Sequence, residues 1–176
     1  MAEPGRLVEL LTAEAVIERV ADLAAQIAPR IDDEAMAICL LSGGVWFAAD
    51  LMRALSRLGR NPLFDALWLS SYGDSRKSLG RVTTLAPLQR PLAGRAALII
   101  DDVIDSGLSL AEAARIATAA GAREVVTAVF AAKPWSTPRA IKPDYVGWDA
   151  PDRFLVGYGM DAGGRYRGLP GVWALD

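Results

Sequence analysis

The stretch "ALIIDDVIDSGLSLAEAA", Ala97–Ala114, decides the fold. Four apolar residues run into three aspartates, the chain breaks at Ser106-Gly107, and a helical pattern begins. The apolar run "RAALII" reads as a buried strand, because it is continuous rather than alternating. "SLAEAARIATAAGA" (109–122) reads as a helix, with Ser109 and Glu112 at capping-box spacing and Gly121 at its end. Two adjacent carboxylates repel one another, so Asp101 and Asp102 do not stabilise a fold. Their placement points to a cationic or hydroxyl-rich group that meets them.

The same alternation extends to both sides. Thr12 caps a predicted helix running to about Ala28, with Val16, Val20, Leu23 and Ile27 on one face and Pro29 at its end. "AMAICLL" (35–41) is a buried strand, Gly43-Gly44 a turn, and "VWFAADLMRALSRLG" a helix closed by Gly59. "LFDALWLSS" (63–71) is the next strand, and the polar "YGDSRKSLGRVTTL" after it reads as a mobile loop. "EVVTAVFAA" is the strand after the second glycine-ended helix. The tail from Asp144 breaks into short strands separated by turn glycines and prolines. Strands alternating with helices predict an α/β fold: a doubly wound, mainly parallel sheet flanked by helices. No internal repeat, low-complexity segment or linker divides residues 1–176, so a single domain is expected.

Composition narrows the chemistry. The chain has 176 residues, 52% hydrophobic, with a formal net charge of −2 and a pI near 5.2. That balance offers no general affinity for nucleic acid or an anionic membrane. Histidine is absent, which excludes Ser-His and Cys-His nucleophiles and a histidine-built zinc site. The single cysteine, Cys39, lies within an apolar run and reads as a core thiol. The N-terminus lacks the basic and apolar regions of a signal peptide. No apolar run reaches the roughly 18 residues of a membrane span. A cytoplasmic protein is expected.

In an open parallel sheet, ligands bind where strands end and helices begin. Asp101 to Ser109 occupies that position. The amides of Ser106, Gly107, Leu108 and Ser109 face outward at a helix start, a site for an anion such as phosphate. A phosphate cradle beside two carboxylates suits a phosphorylated sugar, whose hydroxyls the acids accept. The segment is not a Walker loop, since no glycine-lysine-serine/threonine follows the strand. "DDVID" also matches the DDxxD pattern of prenyl synthases, but those motifs sit on helices of all-α proteins. A receiver-type acidic pocket would place its pair nearer the N-terminus. A solvated acidic turn ahead of a capped helix is the plainest alternative.

"LIIDDVIDSGLSL" resembles the phosphoribosyl-pyrophosphate (PRPP) motif of type I phosphoribosyltransferases: an apolar run, two acids, two apolar residues, Asp, Ser/Thr, Gly, one residue, Ser/Thr. Other segments are similar to the purine-salvage branch, the hypoxanthine-guanine phosphoribosyltransferases, in one collinear order over about residues 35–175. "LLSGGVWFAADLMR" resembles the pyrophosphate loop and the helix after it, and Ser71-Tyr72 the start of the flexible lid. "KPDYVGWDAPDRFLVGYGMD…RYRGLP" resembles the C-terminal purine and pyrophosphate segment.

The resemblance implies a small hood built from the chain's termini, and transfer of 5-phosphoribosyl from PRPP to N9 of a 6-oxopurine (hypoxanthine or guanine). The nearest variants are a xanthine- or guanine-preferring relative, and a PRPP-sensing regulator of the same fold. It implies ribose or magnesium contacts for Asp101 and Asp102, and a second magnesium contact for Asp161. Asp105 would serve as catalytic acid/base at purine N7, and residues 105–109 would bind the 5-phosphate. Lys133 would donate to the purine 6-oxo group, Phe154 would stack on the base, and the Leu155 backbone would read its edge. Ser42, Gly43 and Arg167 would hold pyrophosphate, Ser71 and Tyr72 would close the lid, and the chain would assemble as a homodimer or homotetramer. One departure stands out: many relatives carry lysine or arginine at the position of Ser42. Arg76 or Lys77 of the lid could compensate. Taken singly, Phe154 is also readable as a core aromatic, Lys133 as a solvated strand end, and Arg167 as a surface charge that Arg165 could replace.

Overall fold

A computed structural model describes residues 5–71 and 82–176. Its largest unit is a six-stranded sheet in the order β4-β3-β2-β5-β6-β7. The strands are β2 (Met36–Leu41), β3 (Leu63–Ser71), β4 (Val82–Ala86), β5 (Ala96–Ile104), β6 (Glu124–Ala132) and β7 (Tyr145–Asp149). All neighbours pair in parallel except β3 and β4. The continuous apolar runs have a direct cause. Along β2, Ala37 and Cys39 join one buried cluster, while Met36, Ile38 and Leu40 join another on the opposite face. A strand covered on both faces has no solvent side on which to place polar residues. Cys39 lies in this interior, where burial, followed by the charges of Asp101 and Asp102, pushes its thiol up to about 12.

Helix α1 (Ala13–Ile27) begins as expected, with Thr12 Oγ1 accepting from Ala15 N at 3.2 Å. Its buried face carries Val16, Val20, Leu23, Ala24 and Ile27. Helix α2 (Val45–Arg57) and helix α3 (Leu108–Ala119) end alike. Gly59 N donates to Ser56 O and Arg60 N to Leu55 O; Gly121 N donates to Thr118 O and Ala122 N to Ala117 O. These are the paired bonds of the Schellman motif, with glycine in the left-handed position.

A second, three-stranded antiparallel sheet joins the two ends of the chain in the order β1-β9-β8, from β1 (Leu7–Leu11), β8 (Leu155–Val156) and β9 (Val172–Leu175). This is the hood. The tail thus supplies short strands as expected, one of which, β7, extends the main sheet.

Four features differ from the expectations. Strand β1 lies in a segment that carried no predicted element; its five residues are too few for a clear alternation. Residues 82–85, read as part of a loop, belong to β4, which forms through pairing with β3. The motif strand runs on to Ile104 rather than stopping near Ile100, because Val103 and Ile104 keep pairing with Ala131 and Ala132. Asp101 and Asp102 are therefore strand residues. The turn is compressed to 105–107, so α3 starts at Leu108 with Gly107 as its cap and no side-chain cap. The Ser109–Glu112 capping box does not form: Ser109 sits inside the first turn, and Glu112 pairs with Arg115 at 2.7 Å.

Phe130 is fully buried, its ring centroid 5.7 Å from Phe47 and 4.7 Å from Tyr158. It joins sheet, α2 and hood. Phe130→Ala should lower stability by about 3–5 kcal/mol, the usual range for emptying an aromatic core position, read as a shifted midpoint of urea unfolding.

Candidate functional site

Three adjoining cavities lie at the carboxyl ends of the parallel strands. The first, about 180 Å³, is formed by Asp101 and the turn from Val103 to Leu110. Gly107 adopts φ +80°, a conformation that a side chain disfavours. With no side-chain cap, the first-turn amides of α3 are open to an anion. Nearby, Leu108 N approaches Ser106 Oγ at 3.4 Å. The missing capping box keeps these donors free of a carboxylate that Glu112 would otherwise fold back onto them.

The second cavity, about 390 Å³, is polar. Ser42, Gly43, Asp101, Asp102, Asp161 and Arg167 line it. A Cβ at Gly43 would overlap the carboxylate of Asp102, so a side chain here would displace that carboxylate. The Leu41–Ser42 peptide is cis. Burial, and then repulsion from Asp102, hold the Asp101 carboxyl well above the usual carboxylate range. Asp102 is raised as well, chiefly by burial, while its contacts with Asp101 and Val103 N and the field of Arg167 oppose the shift. Arg167 Nη2 lies 2.6 Å from Asp161 Oδ1, both side chains about one quarter exposed, and Arg167 Nη1 donates to Gly159 O.

The third cavity, about 190 Å³, brings Asp105, Lys133, Phe154, Leu155 and Asp161 together. Lys133 Nζ stands 3.6 Å from Asp105 Oδ1, with its side chain 20% exposed. Phe154 is 55% exposed and Leu155 buried. An aromatic face left open beside a cation and a carboxylate suits a planar heterocycle bearing an oxo group. The plainer readings fail on these positions. Phe154 is not a core aromatic, Lys133 is not a solvated strand end, and Arg167 is an ion-paired wall residue, whereas Arg165 is exposed.

All the residues singled out in the sequence from Ser42 to Arg167 therefore line this cleft, apart from the lid. Of the lid, Ser71 ends β3 with its backbone paired to Val82; Tyr72, Arg76 and Lys77 lie outside the described residues. One residue was not foreseen. Arg139 Nε donates to Asp105 O at 2.8 Å, and its Nη2 donates to Lys133 O. This guanidinium ties the segment after β6 to the turn before α3. It works through main-chain carbonyls, which leave no side-chain pattern to read.

A family profile described as "Phosphoribosyl transferase domain" matches residues 7–162. The hypoxanthine-guanine phosphoribosyltransferase of Mycobacterium tuberculosis strain H37Rv is 37% identical over 174 residues, covering 95% of this chain and 85% of that protein. That of Bacillus subtilis is 35% identical over 167 residues, covering 94% and 91%. Among solved structures, a hypoxanthine phosphoribosyltransferase from Staphylococcus aureus superposes with a TM-score of 0.85 at 27% identity, covering 96% of this chain and 91% of that one. One from Trypanosoma cruzi gives 0.88 at 27% identity, covering 100% and 94%.

The acidic pair makes a pH prediction. An unfolded aspartate titrates near 3.9, and Asp101 titrates higher when folded. Between those values the folded chain holds more protons than the unfolded one, so stability falls as pH rises. Above the folded value the loss is constant. In ligand-free protein Asp101→Asn should raise the melting temperature at pH 7–8, and the advantage should shrink as pH falls toward 4. A melting series showing a constant or reversed difference would contradict it.

Proposed function

The chain belongs to the phosphoribosyltransferase family, and from that premise we infer a purine-salvage enzyme that moves 5-phosphoribosyl from PRPP to N9 of hypoxanthine or guanine. The C1–O bond to pyrophosphate breaks, the C1–N9 bond forms, and IMP or GMP leaves with pyrophosphate. The observation that carries this reading is the Lys133–Asp105 pair, 3.6 Å apart beside the open ring of Phe154, one turn away from the uncapped helix.

The assignment of roles follows the three cavities. The α3 amides and residues 105–109 hold the 5-phosphate, and Asp101 and Asp102 accept from the ribose hydroxyls. Lys133 donates to the 6-oxo group, Phe154 stacks on the base, and the Leu155 backbone meets its edge. Asp105 takes or returns the N7 proton as the base gains its bond. Ser42, Gly43 and Arg167 receive the departing pyrophosphate, whose growing charge Arg167 offsets. Ser71 and Tyr72 fall to the lid, which would exclude water from the ribosyl cation.

Magnesium suits the donor set. Asp101, Asp102 and Asp161 offer hard carboxylate oxygens to one cavity, yet among the described residues no cluster of three metal-ligating side chains forms by itself. Magnesium takes one or two carboxylates and completes its shell with substrate phosphate and water. A cation would also offset the burial and the Asp102 repulsion that together raise Asp101. When bound, magnesium supplies charge neutralisation for the pyrophosphate group.

Among the described residues no helix is long and apolar enough to cross a membrane; a cytoplasmic location is proposed. A homodimer or homotetramer is proposed, with Phe64 on β3, 46% exposed, as an apolar side chain open to a partner. A regulator that only senses PRPP would have no use for Lys133 held against Asp105.

Nucleotide formation from hypoxanthine, guanine, xanthine and adenine under one condition tests this function. Lys133 has donors only, so the 6-amino group of adenine should be rejected by roughly 10⁴-fold. Xanthine should be poorer than guanine, and adenine as best substrate would overturn the Lys133 assignment. Asp105→Asn should reduce turnover by roughly 10²–10⁴-fold while PRPP binding changes little. Unchanged turnover would remove Asp105 from the chemistry.

A further inference from the structure

Residues 157–159 take positive φ in succession: Gly157 +92°, Tyr158 +46° and Gly159 +98°. Two are glycines, but Tyr158 carries a bulky side chain in a sparsely populated region, which persists only where the surroundings enforce it. Three contacts do so. Its ring is 3% exposed and packs on Phe130 at 4.7 Å. Its N–H donates to Leu169 O at 2.8 Å. Its hydroxyl donates to Asp50 Oδ2 at 3.0 Å. Asp50 is itself held, because its other oxygen accepts from Arg53 Nη1 at 2.9 Å.

The turn so fixed bears directly on the pyrophosphate side of the cleft. A Cβ on Gly159 would overlap Gly43 O, so this turn lies flat on the loop at Ser42–Gly44. Gly159 O accepts from Arg167 Nη1, and Gly159 N donates to Arg167 O at 3.0 Å. Asp50 stands on α2, the helix that begins immediately after Gly44. One hydroxyl therefore joins the helix behind the loop to the turn in front of it. The loop is clamped between them, with Arg167 attached to the same turn.

We propose that Tyr158, latched to Asp50, is the positioning residue for the pyrophosphate half of the site, setting Gly43 and Arg167 without touching substrate. The proposal rests on the assignment of Gly43 and Arg167 to pyrophosphate, and on nothing in the purine pocket. A latch of this kind acts on ligands that carry pyrophosphate. It bears less on those that fill only the ribose-phosphate and base pockets, which meet the flanks of the turn at Leu155 and Met160 and not the loop at Gly43.

The test compares two classes of ligand. Tyr158→Phe removes one oxygen and keeps the ring. It should raise the Kd of PRPP and of inorganic pyrophosphate, both measured with magnesium, about tenfold, and lower kcat, while the Kd of GMP stays within twofold. Asp50→Ala should reproduce that pattern. Asp50→Asn keeps an acceptor oxygen and should recover most of what Asp50→Ala loses. Equal weakening of PRPP and GMP would mark a general structural role and overturn the proposal. So would unchanged pyrophosphate affinity in Tyr158→Phe, or Asp50→Asn behaving like Asp50→Ala. Failure of the underlying assignment shows separately: Arg167→Ala would then bind pyrophosphate as wild type does, whatever the Tyr158 variants do.

Discussion

The register of β2 against β5, with Cys39 opposite Ile100, brings two strand ends side by side, and the cleft depends on what can fit between them. One strand continues into Asp101 and Asp102, and the other turns at Gly43. As the Asp102 carboxylate stands, a Cβ at Gly43 would overlap it, so main chain faces carboxylate. The Gly159 turn then closes over Gly43 from the hood. Backbone amides, carboxylates and the Arg167 guanidinium thus meet in one small volume with few side-chain atoms between them. Such a volume suits a ligand rich in oxygen and charge. It is a poor place for anything that stabilises the empty protein, as the raised Asp101 carboxyl records.

Much of the scaffold was legible because burial on two faces writes itself as an uninterrupted apolar run. "AMAICLL", "RAALII" and "EVVTAVFAA" are such runs, and the Thr12 cap and the glycine-ended helices carry local chemistry that needs no tertiary context. The misreadings share a cause: tertiary pairing overrode the local pattern. Strand β4 exists because β3 offers it an edge, and β1 exists because β9, over 160 residues later, returns to it. The capping box failed for the same reason. Pairing of Val103 and Ile104 with β6 moved the turn downstream and placed Ser109 within the helix.

The site was legible where function is carried by side chains in a compact motif. It was not where function is carried by geometry. Asp101, Asp102 and Asp105 announce themselves by their spacing, and Lys133 and Phe154 by collinearity with a known family. Arg139 bonds carbonyls, and Tyr158 acts through a hydroxyl on a carboxylate 108 positions away. In sequence each is an ordinary residue, one in a proline-containing loop and one between two glycines. Only when the chain is folded does the positive φ of Tyr158 mark it as held against its preference.

Ser42 gives these positioning contacts added weight. Ser42 is a neutral hydroxyl, and Arg167 is the cation among the described residues lining the cavity they share with Asp101 and Asp102. It serves several partners at once: it pairs with Asp161 at 2.6 Å, donates to Gly159 O, and its field reaches Asp102. A charge divided in this way is effective only if its direction is fixed, because electrostatic stabilisation depends on preorganisation more than on proximity. The Asp161 carboxylate and the Gly159 carbonyl fix that direction from two sides. The second of these is only as rigid as the turn that presents it, and the turn is rigid because a buried tyrosine is bound at both its ring and its hydroxyl. With a neutral Ser42 in one loop, the orientation of Arg167 rests on the stiffness of another.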